Sequence, residues 1–108
     1  ALSAERRREL DAFYRRGLAA MEAGHRDEAV RYWEIVWSAD PDHAQVRDHL
    51  AQEYLARGME AYASGALHDA IDSWEQAQRV APDDSRARGY LDRARQQLDR
   101  MEMISSSR

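Results

Sequence analysis

The side chains best equipped for chemistry in this chain are its histidines, His25, His43, His49 and His68, and the serines Ser38, Ser64 and Ser73. A metal pair on a helix needs ligands three or four residues apart, so that both face one ion. His43 and His49 are six apart, which on a helix turns them to different sides, so the histidines are read as solvated surface and no metal is expected. A nucleophilic triad needs a Ser or Cys presented by a tight turn and held by a His and an acid. The three serines fall on or beside predicted helices without such a turn. There is no Cys anywhere in the 108 residues, which excludes disulfides, thiolate metal sites and a cysteine nucleophile. The sequence therefore predicts a protein that is not an enzyme and carries no cofactor.

Charge narrows the partners. The formal net charge is −4, and all 16 basic residues are Arg. A phosphate-binding surface needs a basic excess. The basic runs here, Glu5–Leu10 and the Arg-rich last fifth of the chain, are interleaved with Glu5, Glu9, Asp92 and Asp99. Mixed charge of that kind marks a solvated helix face, and no nucleic-acid partner is expected. No apolar run approaches the roughly 20 residues of a membrane span, so insertion of this segment is not expected either. The compartment is not fixed by these features, with cytoplasmic favoured over periplasmic.

The elements follow from periodicity and punctuation. Apolar residues three and four apart mark one face of a first helix, Leu10, Phe13, Tyr14, Gly17, Leu18 and Met21, capped by Ser3 and closed by Gly24. A second helix over about 27–39 puts Ala29, Val30, Trp33, Val36 and Trp37 inward. Asp40-Pro41 is read as a stop and a start, with Asp40 as N-cap and Pro41 in the first turn of a third helix reaching Ser64. That helix would be about 36 Å long at 1.5 Å per residue. Gly65 closes it, and a fourth helix covers 67–80. Pro82 repeats the stop and start. The last helix aligns Ala87, Tyr90, Leu91, Ala94, Leu98 and Met101, and residues 105–108 are expected to fray.

The chain repeats itself. Gly17 and Gly58, Gly24 and Gly65, Ala29 and Ala70, Val30 and Ile71, Trp33 and Trp74, and Pro41 and Pro82 are all 41 apart. The order of Phe13, Arg16-Gly17, Ala20, Ala29, Trp33 and Pro41, echoed by Tyr54, Arg57-Gly58, Ala61, Ala70, Trp74 and Pro82, resembles the tetratricopeptide repeat. The resemblance implies an all-α fold of antiparallel helix hairpins, an α-solenoid of about five helices over residues 1–104. Repeat 1 would span about 10–41, repeat 2 about 51–82, and a capping helix about 83–103. Small Gly17, Ala29, Gly58 and Ala70 would sit where helices press together, and Trp33 and Trp74 would fill the core beside them. The pattern departs in two respects. Arg16 and Arg57 replace a large apolar residue, and the period is 41 rather than the family's 34. The added residues would lengthen the third helix, whose Val46, Leu50 and Ala51 would overhang and pack on the last helix.

The resemblance also implies a concave face for protein partners. Its positions here would be Asp11, Tyr14, Leu18, Met21 and Glu22, then Gln52, Leu55, Met59, Tyr62 and Ala63, with Leu18 and Leu55 equally readable as internal packing. An amphipathic helix or an extended peptide would suit such a surface. A clamp for terminal carboxylates of the Lys- and Asn-containing type is not expected, because the chain has neither residue. Ile35 and Trp37 face Gln76 and Gln78 across the repeat. Trp37 is expected to reach the following helix, and Ile35 to offer a second contact. The expected function is a protein–protein interaction module, a scaffold or adaptor. The alternative is a self-association module of a larger bacterial-type protein, because arrays of fewer than three repeats are short of stacking partners.

Overall fold

A computed structural model of the protein describes residues Leu2–Ser106. The fraying expected for Ser107 and Arg108 lies outside the described residues. The described chain is all-helical: α1 Ala4–Glu22, α2 Arg26–Ala39, α3 Ala44–Ala63, α4 Leu67–Val80 and α5 Ser85–Ser106. It divides into two compact units, one ending at Leu50 and the other beginning at Ala51. The first holds the α1–α2 hairpin and the opening turns of α3. The second holds the remainder of α3 with α4 and α5.

Local chemistry sets the helix ends. Ser3 accepts the Arg6 N–H at 3.0 Å and caps α1. At the other end, Gly24 has φ +82°. Its N–H donates to the Met21 carbonyl, and the His25 N–H donates to that of Ala20. Those two bonds form a Schellman cap, which needs a left-handed residue at this position. Gly65, also at φ +82°, closes α3 in the same way, with Ala66 N–H on Ala61 and its own N–H on Tyr62.

The two prolines do not start helices. The His43 N–H donates to Asp40 O at 3.1 Å, and the Asp42 N–H to Asp40 Oδ1 at 3.3 Å. Asp at the first and Pro at the second position suit a β-turn, so Asp40 opens a turn rather than capping α3. The cap is His43, whose Nδ1 accepts the Val46 N–H at 3.3 Å. The turn consumes part of the long period, and α3 has 20 residues, about 30 Å. In the second copy the Asp84 N–H donates to Ala81 O across Pro82, and Asp84 Oδ1 caps α5 through the Arg86 N–H at 3.0 Å. Val46, Leu50 and Ala51 are all buried, the first two within the first unit and Ala51 at the start of the second.

Each unit is built around one tryptophan. Trp33 lies on α1 where Gly17 leaves room, and Trp74 lies on α3 at Gly58. A Cβ on Gly17 would fall 2.6 Å from Trp33 Cδ1, and one on Gly58 2.6 Å from Trp74 Cε2. Each glycine is thus needed for the indole, more than for backbone approach. The indole Nε1–H donates to a backbone carbonyl, Trp33 to Tyr14 O and Trp74 to Leu55 O, both at 3.3 Å. Burying an indole this fully contributes about 5 kcal/mol before conformational entropy is counted. Ala29 and Ala70 are completely buried. Pro41 and Pro82 are exposed in their turns.

The α5 helix continues through Ser106, whose hydroxyl donates to Glu102 O at 2.8 Å. Fraying at Ser105 and Ser106 is therefore not observed. Ala87, Leu91 and Ala94 form its buried stripe, while Met101, expected on that stripe, is exposed.

Candidate functional site

The second unit holds a recess of about 250 Å³, lined by Met59 and Tyr62 of α3, Trp74 of α4, and Tyr90, Arg93 and Ala94 of α5. Trp74 is its floor. Tyr62 and Tyr90 flank the indole, with ring centroids 5.9 and 5.2 Å away. The Tyr62 hydroxyl donates to Gln97 Oε1 at 2.9 Å, which fixes that wall. Arg93 holds its guanidinium carbon 5.5 Å from the centre of the Tyr90 ring, a cation–π distance. Met59 and Tyr62 are 47% and 45% exposed, so the walls of the recess meet solvent.

The volume limits the occupant. A cavity of about 150 Å³ already admits benzene, whereas drug-sized ligands take about 300–1,000 Å³. The recess fits one or two side chains of a partner and is too small for a large cofactor.

The same positions in the first unit are filled differently. His49 stacks on Trp33 at 4.9 Å and 21°, in the place that Tyr90 takes beside Trp74 with a tilt of 31°. Its Nε2 is hydrogen bonded to the Tyr14 hydroxyl at 3.1 Å. The Tyr14 ring also lies 5.4 Å from His43, whose Nε2 approaches Asp11 Oδ1 at 3.6 Å. His43 and His49 thus both reach Tyr14, contrary to the expectation that they face apart as solvated groups. The reason is that His43 stands in the cap, off the helical wheel. Since Nδ1 of His43 accepts from the backbone, its neutral proton belongs on Nε2, toward Asp11. Among the described residues no group of His, Asp and Glu is arranged to hold a metal ion.

The residues predicted for a partner surface separate into distinct settings. In the first unit Tyr14, Leu18 and Met21 are half-buried, and Tyr14 is engaged by histidine. In the second, Gln52 is exposed and Leu55 is buried, so Leu55 serves the interior. Met59 and Tyr62 remain on open surface and line the recess. Ile35 is exposed and borders an open depression with Arg6, Glu34, Ser38 and Ala39, while Trp37 is half-buried. Gln76, the counterpart of Ile35, lies in a more polar depression with Tyr54, Arg57 and Asp72.

Tyr90 and Arg93 were not among the predicted contact residues. Extending the 41-residue offset past the proline would have paired Tyr90 with His49. Arg93 carries no signal in the sequence beyond being one arginine in a mixed-charge helix. Arg16, in the place of an apolar residue, sets its guanidinium carbon 5.4 Å from the Phe13 ring centre. Arg57 donates to Glu53 Oε1 at 3.3 Å.

No helix among the described residues is long and apolar enough to cross a membrane. Comparison of the chain with protein-family models, with curated proteins and with solved structures finds no match.

Proposed function

We propose that this chain is a protein–protein interaction module of tetratricopeptide-like repeats, and that it docks a short segment of a partner in the recess of the second unit. The observation that carries this reading is an apolar recess with solvent-facing walls, Met59 and Tyr62, above a buried indole. Methionine and tyrosine are suited to such a role. Met is flexible and polarisable, and aromatic rings offer large contact area with few rotatable bonds. The repeated Gly–Trp pairs support the family reading, because in both copies the indole lies on the glycine and its Nε1–H donates to the equivalent backbone carbonyl. No catalytic step belongs to it.

The test is selection of peptides from a random display library on the folded chain, followed by affinity measurement on the Met59→Glu/Tyr62→Ala variant. Peptides whose affinity falls at least about tenfold, a difference near 1.4 kcal/mol, with helicity unchanged support the reading. Selected peptides that bind the variant as tightly as the parent would overturn it.

A further inference from the structure

The second unit carries both a recess and a projection of complementary chemistry. The projection is the end of α5, where Met101, Met103 and Ile104 are 52%, 70% and 60% exposed. Met101 and Ile104 are three residues apart and share one side of the helix. That side is the continuation of the one bearing Tyr90, Ala94 and Gln97, at successive helical spacings of three and four. The stripe that walls the recess therefore runs on past it and ends as an apolar ridge.

Charge is complementary as well. Arg93, at the recess, makes no ion pair among the described residues, and its guanidinium rests on Tyr90. Glu102, next to Met101 in the sequence, is exposed, and its carboxylate makes no ion pair there either. Two arginines of α5 are engaged elsewhere, Arg95 with Glu75 at 2.8 Å and Arg86 with Asp84 at 2.7 Å, while Arg88, Asp92, Asp99 and Arg100 are, like Arg93 and Glu102, without an ion pair among the described residues.

The ridge cannot enter the recess of its own chain. Met101 is eight residues beyond Arg93 on one continuous helix, about 12 Å further along its axis. A straight helix holds that separation, so only another molecule can bring the two together.

We infer that the end of α5 from a second copy of this chain fills the recess, with Met101 against Tyr62, Trp74 and Tyr90, Ile104 at the rim, and Glu102 paired with Arg93. Methionine sulfur makes favourable contacts with aromatic rings, and the recess offers three. Exchange between two copies is reciprocal, which gives a closed two-fold dimer rather than an open chain. The inference rests on the reading of the recess as a docking surface. It adds a regulatory consequence: a partner segment and a second copy compete for one place.

Sedimentation equilibrium of the full chain, from low micromolar to millimolar concentration, tests this. A monomer–dimer equilibrium is expected. Met101→Gln/Ile104→Gln and Met59→Glu should each weaken it by at least about tenfold, while Met103→Gln, on another side of the helix, should not. Arg93→Glu and Glu102→Arg should each weaken it, and the double swap should restore it, which separates docking from misfolding. Mixing the Met59→Glu and Met101→Gln/Ile104→Gln variants should recover association through the one intact contact. A chain that stays monomeric throughout overturns the inference. So does a dimer that responds to the α5 variants and ignores those of the recess, since the helix ends would then meet each other. Selected peptides that require Met59 and Tyr62 on a monomeric chain would leave the docking surface standing and remove only the second copy as its occupant.

Discussion

In the first unit the indole of Trp33 is covered by His49, and His49 is tied to the Tyr14 hydroxyl. In the second, Tyr90 covers Trp74, and the place of Tyr14 is taken by Leu55, which has no polar atom to offer. The scaffold beneath is the same: a glycine, an indole lying on it, and an Nε1–H donating to the same carbonyl. The difference lies in what is laid over that scaffold. A histidine pair around a tyrosine makes a polar knot, whereas two tyrosines, a methionine and an arginine line an apolar recess. One architecture thus carries an internal network in one copy and an open recess in the other.

The comparison can be broken most forcefully at the shared part. Trp33→Ala and Trp74→Ala should each cost about 3–5 kcal/mol in chemical denaturation, by loss of burial and creation of a cavity. Equal costs would confirm that the two indoles are equivalent supports. A Trp74→Ala cost below about 1 kcal/mol would show that the second unit tolerates an empty floor.

Next in size are the glycines. Alanine in an exposed helix position gains up to about 1 kcal/mol over glycine. Gly89 of α5 has open space where a Cβ would go, and Gly89→Ala should stabilise by about 0.5–1 kcal/mol. Gly17→Ala and Gly58→Ala should instead destabilise by about 1–3 kcal/mol, because the new methyl meets an indole that has no room to retreat. The opposite signs, read in parallel unfolding curves, separate backbone freedom from side-chain collision. A stabilising Gly58→Ala would contradict the packing described here.

The layer over the scaffold is tested by removing hydroxyls. Tyr14→Phe should cost about 1 kcal/mol, leaving His49 without its partner. Tyr62→Phe loses a bond to Gln97 in an exposed setting and should stay within about 0.5 kcal/mol of the parent. Equal effects would erase the distinction between knot and recess.

The smallest effect concerns the two helix caps that stand 41 residues apart, His43 and Asp84. The Asp84 carboxyl is held below its usual range, chiefly by the hydrogen bond from the Arg86 side chain and against the opposing effect of burial. A carboxylate with a depressed folded pKa stabilises fully above its unfolded value, near about 3.9, and that contribution disappears as pH falls through the folded value. Stability should therefore drop below about pH 4 in the parent and less steeply in Asp84→Asn, which keeps a capping oxygen. Identical acid limbs for the two proteins would remove Asp84 from the account.

Much of the fold was legible because it rests on local chemistry. Ser3, Gly24 and Gly65 mark helix ends through caps that depend on a few neighbouring residues. The prolines were harder: Asp-Pro suits a turn and a helix start alike, and the hydrogen bonds of the turn decided for the former. Met59 and Tyr62 could be nominated from register, and Leu55 was left open between surface and internal packing, because all three are apolar or aromatic on one helix; its burial is decided by its neighbours.

Sequence alone determined the helical class and the doubled unit, since periodicity, capping and a fixed offset act within one copy or between equal positions, whereas the seating of each indole on its glycine came from the structure. Tertiary structure alone decided which side chains meet. It brought His43 and His49 to one tyrosine although their spacing on a helix argues against it, because one of them stands in a cap. It gathered Met59, Tyr62, Trp74, Tyr90 and Arg93 from three helices around one space. It left Met101 in solvent on a stripe that reads as core, because a helix has the same periodicity along its whole length and only its neighbours determine where burial stops.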